Sequence, residues 1–134
     1  MSAIVVDTHT LVWYLNNSPR LSANASAALA STEQAGEHIY IPSIVIIELG
    51  YLVEKGTITE TDYQNILREI KDSTTVLTTA ALDLTTADTC AQISRSTVPD
   101  MPDRTIAATA LALNLPLVTC DTKISRLSNV SIVW

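Results

Sequence analysis

The chain has 134 residues, 47% hydrophobic and 16% charged, with a formal net charge of −6. That length fits one compact domain spanning 1–134, and the composition excludes a disordered chain. The acidic balance argues against a nonspecific nucleic-acid binder but leaves open an enzyme acting on nucleic acid, because bound divalent cations reverse the local sign of an acidic site.

In chain order, Ala3 to Val6 reads as a short buried strand, and Thr10 to Leu15 as a short helix. Asn16-Asn17-Ser18-Pro19 breaks that helix. Ser22 is placed to cap a helix with Ala25, Ala28 and Leu29 on one face. Gly36 and Glu37 make a turn, and His38 to Ile41 is a second strand ended by Pro42. The stretch from Ser43 to Lys55 mixes signals. Its β-branched run favours a strand, yet the apolar run from Ile39 to Val53 is too long for one strand and Pro42 splits it. We read a helix capped by Ser43, buried on most sides and stopped by Gly56.

The clearest helix runs from Thr59 to Lys71. Thr59 and Asp62 resemble a capping box, and Tyr63, Ile66, Leu67 and Ile70 recur at helical spacing. Thr75 to Leu77 is a predicted strand. Thr86 to Ser94 follows as a helix with Ala87, Cys90 and Ala91 inward. Pro102 to Leu113 is a helix with Ile106, Ala107, Ala110 and Leu111 inward. Leu115 to Thr119 and Val130 to Val133 are the last strands.

No apolar run approaches the roughly 18 residues of a membrane span. The N-terminus lacks the basic start and cleavage region of a secretory signal, which predicts a cytoplasmic protein. Cys90 and Cys120 are the only cysteines, and neither sits in a C-x-x-C pattern, which favours two core thiols in a reducing compartment over a disulfide.

Strands alternating with helices imply an α/β fold with a parallel sheet covered on both faces. Ligands of such folds bind outside the carboxyl ends of the strands, where Asp7 and Asp121 would sit. Asp103 opens a helix, and Glu48 lies between Ile47 and Leu49 in the most apolar helix. Each Asp has a bland role available. Asp7 could cap a helix from Thr8, Asp100 and Asp103 suit a helix N-terminus, and Asp121 could cap a short turn through Arg126. A buried Glu48 needs a basic partner or a cation. Together the four acids form an oxygen-only donor set, which suits Mg²⁺ or Mn²⁺ and suggests a metal-dependent phosphodiesterase.

Thr8, Thr10 and Thr119 stand beside Asp7 and Asp121, where hydroxyls can orient carboxylates or serve turns and caps. His9 adjoins Asp7 as a metal-ligand or acid–base candidate, or as a packing residue. Trp13, Tyr14, Tyr40 and Tyr51 suit a core or interface, with base stacking a further role for one of them. Arg104, Lys123 and Arg126 lie close in sequence to two of the acids. Aspartyl-phosphate chemistry fits poorly. His9 stands where a second Asp would be needed, and Lys123 falls in a turn where a receiver domain places a strand lysine.

Four segments carry a family resemblance. Val5-Val6-Asp7-Thr8-His9-Thr10-Leu11-Val12-Trp13 resembles the opening of PIN-domain proteins, and Ile47-Glu48-Leu49-Gly50 their second motif. The stretch from Asp100-Met101-Pro102-Asp103-Arg104 to Ala110 is similar to the third, with its acids at the usual spacing and its proline moved by one. Leu117-Val118-Thr119-Cys120-Asp121 is similar to the fourth. Length and motifs look like VapC-type toxins of toxin–antitoxin pairs.

The resemblance implies a Rossmann-like three-layer α/β/α sandwich and Mg²⁺-dependent endoribonuclease activity on RNA, with Mn²⁺ as substitute. Asp7, Glu48, Asp103 and Asp121 would be the catalytic, metal-binding residues, with Thr8, Asp100, Arg104 and Thr119 in support. A homodimer is implied, as is a VapB-like antitoxin whose tail enters the acidic site. The apolar segments around Tyr51 to Val53 and Tyr63 to Ile70 are candidate interfaces or ordinary core. The competing reading is a noncatalytic PIN-like scaffold whose acidic pocket receives a partner's basic residue.

Overall fold

The computed structural model describes residues 3–134. Five parallel strands form the central sheet: β1 (Ile4–Val6), β2 (Ile39–Pro42), β3 (Leu77–Ala80), β4 (Leu117–Val118) and β5 (Ile132–Val133). Their order is β3-β2-β1-β4-β5. Six helices connect and cover them: α1 (Thr8–Leu15), α2 (Ala23–Gln34), α3 (Ser43–Glu54), α4 (Glu60–Lys71), α5 (Leu84–Thr89) and α6 (Met101–Leu113).

The strands are parallel because each connection carries at least one helix or helical turn. β1 sits at the centre, so both its neighbours and both its faces exclude water. That is why it reads as an unbroken run, Ile4-Val5-Val6, rather than an alternating one. Val5 is paired with Tyr40 on one side and Leu117 on the other. From β1 the chain winds outward through β2 and β3, then returns to build β4 and β5 on the opposite side. Strand order therefore reverses at β1, leaving a crevice beyond the carboxyl ends of β1 and β4.

The core joins the strands to Leu11, Leu29, Val45, Leu49, Ile66 and Ile106 from the helices. α6 is the most deeply set helix, with every residue from Thr105 to Ala110 buried. Small side chains at Ala107, Ala108 and Ala110 let its backbone approach closely, and Thr105 and Thr109 return their hydroxyls to carbonyls one turn back, at 2.9 and 2.8 Å. Burying these apolar side chains stabilises the fold by about 25 cal/mol per Å² removed from water.

α4 forms as the spacing predicts. Thr59 accepts from the Asp62 N–H at 3.0 Å, Asp62 accepts from the Thr59 N–H at 3.3 Å, and Ile66 is buried. Gly56 follows α3 with a φ of +74°, a conformation that suits glycine and stops the helix. No helix among the described residues is long and apolar enough to cross a membrane.

Several boundaries differ from the expectations. α1 begins at Thr8, two residues early, because Asp7 caps it. Pro42 rather than Ser43 precedes the first turn of α3, and the Ser43 hydroxyl donates instead to the Ala80 carbonyl on β3 at 3.1 Å. One face of α3 is exposed at Ile47 and Tyr51 rather than buried. The strand expected at Thr75 to Leu77 starts at Leu77, since Thr74 and Thr75 are held in a turn by Asp72. The helix expected at Thr86 to Ser94 is α5, capped by Asp83, followed by a tighter 3₁₀ turn at Cys90–Gln92. That shift in register turns Ala87 and Ala91 outward and buries Thr86 and Thr89. Both cysteines are free, and Cys120 is exposed rather than in the core, because it lies past the end of β4.

Candidate active site

The acidic pocket forms where the sheet's switch point and the strand-end carboxylates coincide. Asp7 follows β1 and caps α1, accepting the Thr10 N–H at 3.0 Å. One parallel register step beyond Val6↔Val118, the Thr119 hydroxyl donates to the other Asp7 oxygen. The Thr10 hydroxyl donates to the Val118 carbonyl at 2.8 Å, closing the seam between β1 and β4. Asp7 is thus buried with both oxygens directed, and each still has a lone pair to offer.

Asp121 follows β4. Its backbone N–H donates to Thr119 Oγ1 at 3.0 Å, and its Oδ1 accepts the Lys123 and Ile124 N–H groups at 2.8 and 2.9 Å. The capping role foreseen for Asp121 is present, and it consumes one oxygen. Glu48 projects from the middle of α3, where its Oε1 accepts the Thr8 hydroxyl at 2.8 Å. Its hydrogen-bond partner is therefore a threonine rather than a basic residue.

Asp103 stands in the first turn of α6, whose N-cap is Asp100. Among the described residues its carboxylate has no hydrogen-bond partner. Burial raises its pKa to about 7, and the charges of Asp100, Asp121, Glu48 and Asp7 add to the rise in that order. Four neighbouring carboxylates all act on this one group, which is the electrostatic mark of a shared site.

Asp7, Glu48, Asp103 and Asp121 line one pocket with Asp100 and Thr8. Arg104 does not join them. It donates to the Cys90 and Ile93 carbonyls at 2.8 and 3.2 Å, fastening the 3₁₀ turn to α6, and its buried Nε has no partner among the described residues. Four further residues on the pocket wall had not been singled out as site residues: Leu52, Lys55, Ile106 and Cys120. Helical spacing offered a signal for the first two. Glu48, Tyr51, Leu52 and Lys55 recur at i, i+3, i+4 and i+7, one face of α3.

The donor set is all carboxylate, which fits a hard divalent cation. Among the described residues no three carboxylate, imidazole or thiol side chains already stand close enough to share one ion. The fit therefore rests on donor chemistry and on the mutual repulsion registered at Asp103.

Fold and pocket together define an α/β sandwich protein with an acidic cleft at the carboxyl edge of a parallel sheet. The sequence profile of the PIN domain matches residues 4–130, and the chain belongs to that family. No curated protein sequence matches it. Among solved structures, VapBC2 from Rickettsia felis bound to a promoter DNA fragment superposes with a TM-score of 0.72 at 24% identity, covering 97% of this chain and 96% of that one. DNA-bound VapBC from Salmonella typhimurium gives 0.68 at 20% identity, covering 98% and 97%. VapBC-5 from Mycobacterium tuberculosis, a member of the VapBC family of toxin–antitoxin systems, gives 0.64 at 19% identity, covering 98% of each chain.

Proposed function

We propose that this chain is an endoribonuclease dependent on Mg²⁺ or Mn²⁺, and the toxin of a VapBC-type toxin–antitoxin pair. The observation that carries the reading is the convergence of Asp7, Glu48, Asp103 and Asp121 on one pocket at the β1/β4 switch point. Family membership and the VapBC neighbours support it.

Asp7 and Asp103 would hold the cation, with Glu48 and Asp121 completing the set. When bound, the ion lowers the pKa of a coordinated water and offsets charge on the phosphate oxygens. The chain's own residues supply orientation. Thr119 and the Thr10 N–H fix Asp7, and Thr8 fixes Glu48. The Lys123 and Ile124 N–H groups fix Asp121. Asp103, its pKa raised to about 7, is partly protonated near neutral pH, which lowers the repulsion while no cation is present. Lys55 stands on the pocket wall as a positive charge for the phosphate.

The partners in this reading are RNA, a second copy of the chain and a VapB-like antitoxin that offers the pocket a basic side chain. The place of action is the cytoplasm. The test is cleavage of a mixed structured-RNA pool with Mg²⁺, with Mn²⁺, with EDTA and by the Asp7→Asn variant. Asparagine caps a helix as well as aspartate does, so that variant keeps the fold. Metal-dependent cleavage lost in Asp7→Asn establishes the nuclease. No cleavage, together with no rise in melting temperature on adding Mg²⁺, overturns it in favour of a noncatalytic scaffold.

A further inference from the structure

We propose that the groove beside the acidic pocket, running from His9 over Trp13 to Arg20, is a stacking subsite for a base of single-stranded RNA next to the cleaved phosphate. The inference rests on the nuclease reading and adds a substrate contact to it.

Two hollows share a wall. His9 and Leu52 line both the acidic pocket and a second groove that continues along α1 past Trp13 to Arg20. Helical geometry places His9 and Trp13, four residues apart, on one face of α1. Their rings lie 5.6 Å apart, tilted by 43°. After α1 the chain turns through Asn17, at a φ of +50°, and the Ser18 N–H donates to the Trp13 carbonyl at 2.8 Å. This turn brings the Arg20 guanidinium over the Trp13 ring, 5.7 Å from its centre. Trp134 meets Trp13 as well, with ring centres 5.9 Å apart, and its carbonyl accepts from Asn24 of α2 at 3.3 Å.

Rings and a guanidinium in series form the kind of surface on which unpaired bases stack. His9 is exposed at the boundary of the two hollows, so its imidazole is the first such surface beyond the pocket. Arg20 adds a bidentate phosphate donor, and Lys55 supplies a cation on the pocket side. Charge distinguishes this track from the hollow between α1, α2 and α4, where Glu33, Asp62 and Glu69 oppose Arg68 and would repel a phosphate backbone. Asp62 borders the groove too, but its carboxylate accepts from the Thr59 N–H in the capping box.

The chain contains two tryptophans, and both belong to this cluster, so its intrinsic fluorescence reads the groove directly. The test titrates a short single-stranded oligoribonucleotide of mixed sequence into the full chain carrying Asp7→Asn, with Mg²⁺ present. We expect quenching, with the dissociation constant raised about tenfold by adding His9→Ala or Arg20→Ala. His9→Phe keeps a ring and stays near the parent, as does Lys71→Ala on α4. Circular dichroism checks that each variant is folded. Absent quenching overturns the proposal, as does a Lys71→Ala effect equal to that of Arg20→Ala, which would mean general charge attraction. Quenching by a partner peptide but not by RNA overturns it in favour of a protein-binding groove. Cleavage by the unaltered chain is scored separately. Cleavage without quenching sinks the subsite and leaves the nuclease standing. Ring-dependent quenching with no cleavage in any metal and no rise in melting temperature on adding Mg²⁺ sinks the nuclease and supports the groove.

Discussion

Thr8 Oγ1 donates to Glu48 Oε1 at 2.8 Å, joining the first residue of α1 to the middle of α3, forty positions later. This one bond gives the carboxylate of the most apolar helix a fixed direction, and it aims Glu48 toward the strand end that carries Asp7. A half-buried Glu48 without it would be free to turn toward solvent along α3. Removing the hydroxyl while keeping the shape, as in Thr8→Val, should lower RNA cleavage by about tenfold, the scale on which the loss of an orienting partner weakens a metal site. Stability should fall by only about 1 kcal/mol. Cleavage rates at saturating Mg²⁺ and a urea melt measure the two effects. An unchanged rate would show that Glu48 needs no orientation.

Asp103 makes the metal-free protein sensitive to pH. Its folded pKa, about 7, lies above the ordinary value of 3.8. A raised carboxylate pKa contributes stability that is fully present below 3.8 and is lost as pH rises through 7. In EDTA, the melting temperature of the unaltered chain should therefore decline from acid toward pH 8 relative to Asp103→Asn, which carries no such charge. Mg²⁺ should reverse the order at pH 8 by binding only the chain with Asp103 intact. Parallel melting curves of the two proteins in EDTA would contradict the electrostatic account.

Two roles at Asp121 can be separated. Its Oδ1 caps the turn of Lys123 and Ile124, while its charge faces the pocket. Asp121→Asn keeps the cap and should keep stability within about 0.5 kcal/mol while cleavage is lost. Asp121→Ala loses the cap as well and should cost about 1–2 kcal/mol. Denaturant melts of both variants beside an activity assay distinguish these outcomes.

Arg104 is placed for architecture. Arg104→Ala strands the Ile93 carbonyl, leaves the Cys90 carbonyl with only the Ile93 N–H, and should destabilise the fold by about 1–3 kcal/mol. Mg²⁺ affinity, measured by calorimetry well below the melting temperature, should stay near that of the unaltered chain. A large loss of affinity in a folded variant would place Arg104 in the site after all.

The sequence by itself determined the fold class and the identity of the acids. Unbroken apolar runs such as Ile4-Val5-Val6 mark strands buried on both faces, and the Thr59–Asp62 capping box and the Tyr63 to Ile70 spacing mark α4. These signals are local, so each can be read within one or two turns of chain. Carboxylates at Asp7, Glu48, Asp103 and Asp121 stood out for the same reason, as charges set beside apolar stretches.

Tertiary structure decided what each acid touches. Nothing local says that Thr119 would serve Asp7, 112 positions away, or that Arg104 would turn from the pocket to the Cys90 carbonyl. α5 starts ahead of the apolar pattern because Asp83, lying outside that pattern, caps it and shifts its register. Lys55 reached the pocket through the pitch of α3, and Arg20 reached Trp13 through a left-handed turn at Asn17. Hydrogen bonds and charge coupling act over a few ångströms in space, whatever the separation along the chain. The parallel register of β1 against β4 therefore had to form before the carboxylates could become one site.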